Sequence, residues 1–138
     1  MPFVLDASVT MAWCLTNEST PYTRSVLSRL VDTYAEVPTL WNFEVANVLA
    51  ICERRQRITS VVSENFLRTL DRLDIRVEQS LPVVDANVLL PLARRYGLTA
   101  YDAAYLELSR RKNLPLATLD KDLTAAALQE DVVLLSQP

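Results

Sequence analysis

Histidine is absent from the 138 residues. That removes imidazole as a general base, as the partner of a nucleophile and as a metal ligand, and excludes Ser-His-Asp, Cys-His and His-zinc chemistries. Any catalysis has to run on carboxylates. Glycine is nearly absent too, with Gly97 alone in the chain. Phosphate cradles of the P-loop and dinucleotide types need several glycines for close backbone approach, so a nucleotide cofactor is not expected. The two cysteines, Cys14 and Cys52, stand far apart along the chain in apolar surroundings. They offer neither a redox pair nor a four-ligand zinc site and read as buried free thiols. No apolar run approaches the roughly 20 residues of a membrane span. The N-terminal Met-Pro-Phe-Val-Leu-Asp has no basic stretch, long apolar region or cleavage site, so a cytoplasmic protein without membrane contact is expected. A net charge of −3 lacks the broad basic footprint of a non-specific nucleic-acid binder.

What is present is apolar residue in quantity, 50% of the chain, and a chain of this size buries roughly two-thirds of its unfolded surface. No repeat, low-complexity tract or linker interrupts it, so residues 1–138 read as a single domain. Short apolar strand signals fall at 3–6, 36–38, 76–79, 115–118 and 132–135. Between them lie helical periodicities: Leu27, Leu30, Val31 and Tyr34; Val45, Val48, Leu49 and Cys52; Val62, Phe66, Leu70 and Leu73; Val84, Val88 and Leu92; Tyr101, Ala104, Tyr105 and Leu108; and Leu123, Ala126 and Ala127. Ser19-Thr20-Pro21 has the chemistry of a helix start, and Gly97 stands where a left-handed C-terminal cap belongs. The alternation predicts an α/β fold, a three-layer αβα sandwich around a mainly parallel sheet of about five short strands.

In such a sheet ligand sites lie beyond the carboxyl ends of the strands. Asp6 ends the first strand with Ser8 two residues on; Glu44 falls in the first turn or so of a helix beginning near Trp41; Asp102 follows Thr99 by three; Asp120 opens the last helix, with Asp122 a weaker fifth candidate. Taken singly, each acid reads as a helix cap or a favourable dipole charge. Asp102 strains that reading, because its helix is apolar nearly all round until Ser109 and a carboxylate there is costly unless paired or metal-bound. Jointly, all four belong on one edge. Two unit charges about 4 Å apart repel by roughly 4 kcal/mol at an effective dielectric near 20, so such a cluster takes up protons or demands cations. An all-oxygen donor set selects Mg2+ or Mn2+.

Four segments carry a resemblance: Leu5-Asp6-Ala7-Ser8-Val9, Glu44-Val45-Ala46-Asn47-Val48-Leu49, Tyr96 to Tyr105, and Leu116-Ala117-Thr118-Leu119-Asp120-Lys121-Asp122-Leu123. In this order and spacing the chain resembles the PIN-domain ribonucleases, specifically the VapC-type toxins of toxin–antitoxin pairs, over essentially its whole length and without departure at the four acidic positions. The resemblance implies a PIN-like fold and a Mg2+- or Mn2+-dependent endoribonuclease. In it Asp6, Glu44, Asp102 and Asp120 hold one or two ions directly or through water, supported by Ser8, Thr118 and Asp122, and water attacks an RNA phosphodiester to leave a 5′-phosphate and a 3′-hydroxyl. Asn47, one turn after Glu44, orients that carboxylate or contacts the phosphate. The resemblance further implies a homodimer and a cognate antitoxin whose helix lies in an apolar groove. Leu27, Leu30, Val31 and Tyr34 are one candidate wall and Val62, Phe66 and Leu70 the other, although core packing explains the same residues.

Two basic groups, Arg54, Arg55 and Arg57, then Arg94, Arg95, Arg110, Arg111 and Lys112, read as solvated faces, with RNA phosphate contact as the alternative. Trp13, Trp41, Tyr22 and Tyr101 read as packing or interface residues before base stackers. Competing functions are an aspartyl phosphoryl-transfer domain, which Asp6-Ala7-Ser8 matches poorly, and a catalytically silent PIN-fold protein-binding module.

Overall fold

Phe3-Val4-Leu5 is apolar without alternation, the pattern of a strand buried on both faces, and all three residues have no exposed surface in β1 (Phe3–Leu5). The computed structural model describes residues 1–79 and 84–136. After β1 come α1 (Ala7–Ala12), a 3₁₀ turn (Thr16–Glu18), α2 (Pro21–Arg29), β2 (Ala35–Val37), α3 (Leu40–Arg54), α4 (Ser60–Asp71), β3 (Ile75–Val77), α5 (Ala86–Tyr96), α6 (Ala100–Lys112), β4 (Leu116–Ala117) and α7 (Lys121–Gln129). The strands form a four-stranded parallel sheet in the order β3-β2-β1-β4, flanked by helices. The chain runs outward from β1 through β2 to β3, then returns to place β4 on the other side of β1. The topological switch therefore lies between β1 and β4, where ligand sites of open parallel sheets form.

The expected fifth strand shrinks to one bridge between Leu134 and Leu116. β4 is only two residues long, so Leu116 alone accepts from Leu135 and donates to Val133. Helix ends also depart from the periodicity. α2 stops at Arg29, because Leu30 and Val31 bond back to Leu27 and Ser28 in tight turns that send the chain into β2. Leu30 stays buried, Val31 is 84% exposed, and Tyr34 lies outside the helix with the Arg76 guanidinium 3.6 Å above its ring. The proposed wall from Leu27 to Tyr34 is thus not one helix face. Opposite it, Phe66 and Leu70 belong to the core while Val62 is exposed.

α6 is the central helix. Every residue from Ala103 to Ser109 is buried, and the helix packs on β1 and β4 with α5 and α7 against it. Its buried Glu107 is held by Arg111 at 2.7 Å, and Arg111 also reaches Glu78. Arg110 and Arg95 pair with Glu130, which Tyr96 also hydrogen-bonds, and Lys112 faces Glu36. These cations tie α5 and α6 to the end of α7, and α6 to β2 and the end of β3. Cys52 is buried and Cys14 half-buried, both free. Burial first, and then Cys52, push the Cys14 thiol up. Among the described residues no helix is long and apolar enough to cross a membrane.

Gly97 ends α5 at φ 65° in the left-handed region, with its N–H returning to the Ala93 carbonyl. Three residues on, Ala100 begins α6, which carries Asp102 in its first turn. A Cβ at Gly97 would meet nothing within 4 Å, so Gly97→Ala is expected to cost only backbone strain, about 1 kcal/mol in urea unfolding. Leu106→Ala, at a site with no exposed surface, should cost about 2–5 kcal/mol, whereas Val31→Ala should stay within about 0.5 kcal/mol.

Candidate metal centre

Asp6 follows β1 and occupies the N-cap position of α1, yet its side chain caps nothing. Its Oδ2 accepts instead from the Ser8 hydroxyl at 2.6 Å and the Thr118 hydroxyl at 2.7 Å. Each hydroxyl is itself an acceptor: Ser8 Oγ takes the Leu119 N–H at 3.0 Å and Thr118 Oγ1 the Asp120 N–H at 3.0 Å. Together with the Asp6 N–H on the Ala117 carbonyl, these bonds lock the end of β1 to the end of β4. Asp6 is 3% exposed.

Glu44 arrives from α3. Thr39 stands at the N-cap and the helix begins at Leu40, so Glu44 lies in the second turn rather than the first. One turn earlier, Trp41 donates its indole N–H to Thr10 Oγ1 at 3.0 Å and fixes α3 against α1. Glu44 Oε1 accepts from the Tyr105 hydroxyl at 2.7 Å, and among the described residues no hydrogen bond joins it to Asn47. Tyr105 has no exposed surface. Asp102 sits in the first turn of α6, its N–H on the Thr99 cap at 3.1 Å. Asp120 does cap α7, through Leu123 N–H at 2.8 Å, while still reaching the site.

Asp6, Glu44, Asp102 and Asp120 all line one cleft of about 540 Å³ at the carboxyl edge of β1 and β4. Ser8 lines it too, and Thr118 stands behind through its bond to Asp6. Asp122 lies outside the wall and acts through its field on Asp102. Asn47 lies on a neighbouring cleft that shares Glu44. Sequence reasoning passed over Tyr105 and Glu18. Tyr105 had a signal, standing at i+3 from Asp102 on the same helix face; Glu18, which lines the cleft from the 3₁₀ turn, had none.

Burial raises the Asp6 carboxyl, against the Ser8 and Thr118 bonds that favour its charge. Glu44 is raised by burial, and further by Asp6 and Asp102, with Tyr105 opposing. Burial, then the charges of Asp6 and Asp120, lift Asp102 to about 6. A helix N-terminus favours a carboxylate, so burial together with the neighbouring charges outweighs the dipole here. Among the described residues no three carboxylates or thiolates stand close enough to ligate one ion directly. The four acids therefore do not form a direct ligand cage. They fit an ion that keeps most of its waters and takes one or two carboxylates, which is the habit of Mg2+, and the oxygen-only donor set offers nothing a softer metal prefers.

A carboxyl raised in the folded state is best tolerated protonated. Its contribution is fully present below the unfolded value and is lost as pH rises through the folded one. In EDTA, the Tm of Asp102→Asn minus that of the native chain should grow as pH rises from 3.8 through about 6; saturating Mg2+ should shrink the difference by stabilising the native chain. A flat difference across that window would refute the raised Asp102 carboxyl.

Comparison with known proteins bears on the family and the fold. No curated protein matches the chain in sequence. Among solved structures, the crystal structure of PAE2754 from Pyrobaculum aerophilum superposes with a TM-score of 0.68 at 23% identity, covering 91% of this chain and 87% of that one. That likeness is one of fold. The family model of the PIN domain matches residues 3–128, and with nearly the whole length covered the chain belongs to the PIN-domain family, whose members are mostly metal-dependent nucleases.

Proposed function

We propose that the chain is a Mg2+- or Mn2+-dependent endoribonuclease acting as the toxin of a type II toxin–antitoxin pair. One observation carries the nuclease reading: Asp6, Glu44, Asp102 and Asp120, supplied by four separate segments, face one cleft at the topological switch point. These four would hold the ion, directly or through water. When bound, it would supply Lewis acidity at phosphorus and lower the pKa of a water. The protein's own part is positioning. Ser8 and Thr118 hold Asp6 by one oxygen, Tyr105 holds Glu44, Thr99 fixes the backbone of Asp102, and Thr118 fixes that of Asp120. Asp122 adds negative field, and Asn47 stands one turn along α3 at the neighbouring wall. The toxin role, a cognate antitoxin and a homodimer rest on the resemblance of the four acidic segments to VapC-type proteins.

The test is RNA cleavage with Mg2+ or Mn2+. EDTA is expected to abolish it, and Asp102→Asn to lower it at least about 100-fold. Metal-independent cleavage, or full activity in Asp102→Asn, overturns the mechanism, and inertness towards many RNAs favours the silent protein-binding module. Tyr105→Phe keeps the ring and loses the hydroxyl on Glu44; the Mg2+ concentration for half-maximal cleavage should rise about 10-fold without a matching rise in KM for RNA.

A further inference from the structure

Along α3 the acidic cleft is lined by Glu44 and Val48 and, just past the helix's C-terminus, by Arg57, where Gln56 turns through φ 57° and the Arg57 N–H returns to Cys52. Arg57 lines the cleft with the acids yet forms an ion pair with none of them among the described residues. The cations of α5 and α6 that reach acids, Arg95, Arg110, Arg111 and Lys112, are spent on structural pairs. Glu44 is also the wall between the acidic cleft and a second cleft of about 960 Å³. Into the second cleft stand Phe43, 77% exposed, and Tyr101, 63% exposed, with the amides of Asn42 and Asn47 beside them. Phe43 immediately precedes Glu44, and Tyr101 immediately precedes Asp102. The other candidate stackers are committed elsewhere: Trp41 and Trp13 donate to Thr10 and Thr23, and Tyr22 to the Leu135 carbonyl.

We infer that Arg57 and the Phe43–Tyr101 ledge are the two ends of a substrate track, Arg57 taking a phosphate on one side of the acids and the two rings stacking unpaired bases on the other. This rests on the nuclease reading. Continuity decides the occupant: a polyanion whose scissile phosphate faces Glu44 and Asp102 has its neighbouring nucleotide at the shared wall. There the face offers π-surface and amide groups but no cation, which suits a base rather than a phosphate. A base stacked in a duplex cannot use that ledge, so the substrate portion must be single-stranded.

The two ends are separable by salt. Single-stranded RNA bearing 2-aminopurine is titrated against full-length Asp102→Asn protein in Mg2+, between about 50 and 200 mM salt. Phe43→Ala and Tyr101→Ala should each weaken binding about 10-fold at every salt concentration and lose the fluorescence quenching, while Phe43→Trp and Tyr101→Phe keep both. Arg57→Gln should keep the quenching and lower the slope of log affinity on log salt by about 0.7, with Arg57→Lys restoring it. The track is overturned if the ring variants bind as tightly as their parent, or if they only alter sedimentation, which makes the ledge a contact between copies of this chain. An Arg57→Gln slope unchanged from the parent also overturns it. In each of these cases the Asp102-intact chain still cleaves RNA; if that chain neither binds nor cleaves any RNA, the nuclease reading itself has failed and the track with it.

Discussion

One oxygen of Asp6 accepts two hydroxyl hydrogen bonds, from Ser8 and Thr118. Ser8 belongs to the first turn after β1 and Thr118 follows β4, so these bonds tie together the two strands that flank the switch point. The same hydroxyls take the N–H groups of Leu119 and Asp120. The aim of Asp120 is therefore set by the group that also orients Asp6. In a buried network of this kind the contributions are cooperative, and removing one member leaves the others with unpaired polar groups.

The rest of the fold brings charge to that point against its own electrostatics. α6 is buried along its middle turns and begins with the neutral Thr99 cap, yet it delivers Asp102 to a place where burial and then the charges of Asp6, Asp120 and Asp122 oppose ionisation. Trp41 on Thr10 and Tyr105 on Glu44 do the same for α3, using buried aromatic side chains to aim an acid. An arrangement that disfavours its own charged state is one that a ligand of opposite sign would relieve.

Much of this was legible in the sequence. Asp6, Asp102 and Asp120 sit at strand ends and helix starts, and those boundaries are written in local chemistry: the apolar run before Asp6, the Thr99 cap, and the single glycine at the left-handed end of α5. Glu44 was legible as a residue, though its helix starts earlier than Trp41 suggested. What escaped depends on tertiary contact. Val31 and Tyr34 continue the spacing of α2 but not its hydrogen bonds, because the path into β2 required a tight turn. The last strand dwindled to a bridge since its partner is two residues long. Glu18 reaches the cleft from a 3₁₀ turn, and Arg57 is set apart from Arg54 and Arg55 by one left-handed residue, Gln56. No periodicity encodes either placement.

β3 is the last strand on its side of the sheet. Its middle residue, Arg76, is clamped to Asp74 through two nitrogens and lies over the ring of Tyr34. A terminal strand is the natural template for accretion by foreign strands, and a fixed charge on it is one way proteins blunt that hazard. Among the described residues no strand lies beyond β3, and edge-to-edge growth there meets a guanidinium.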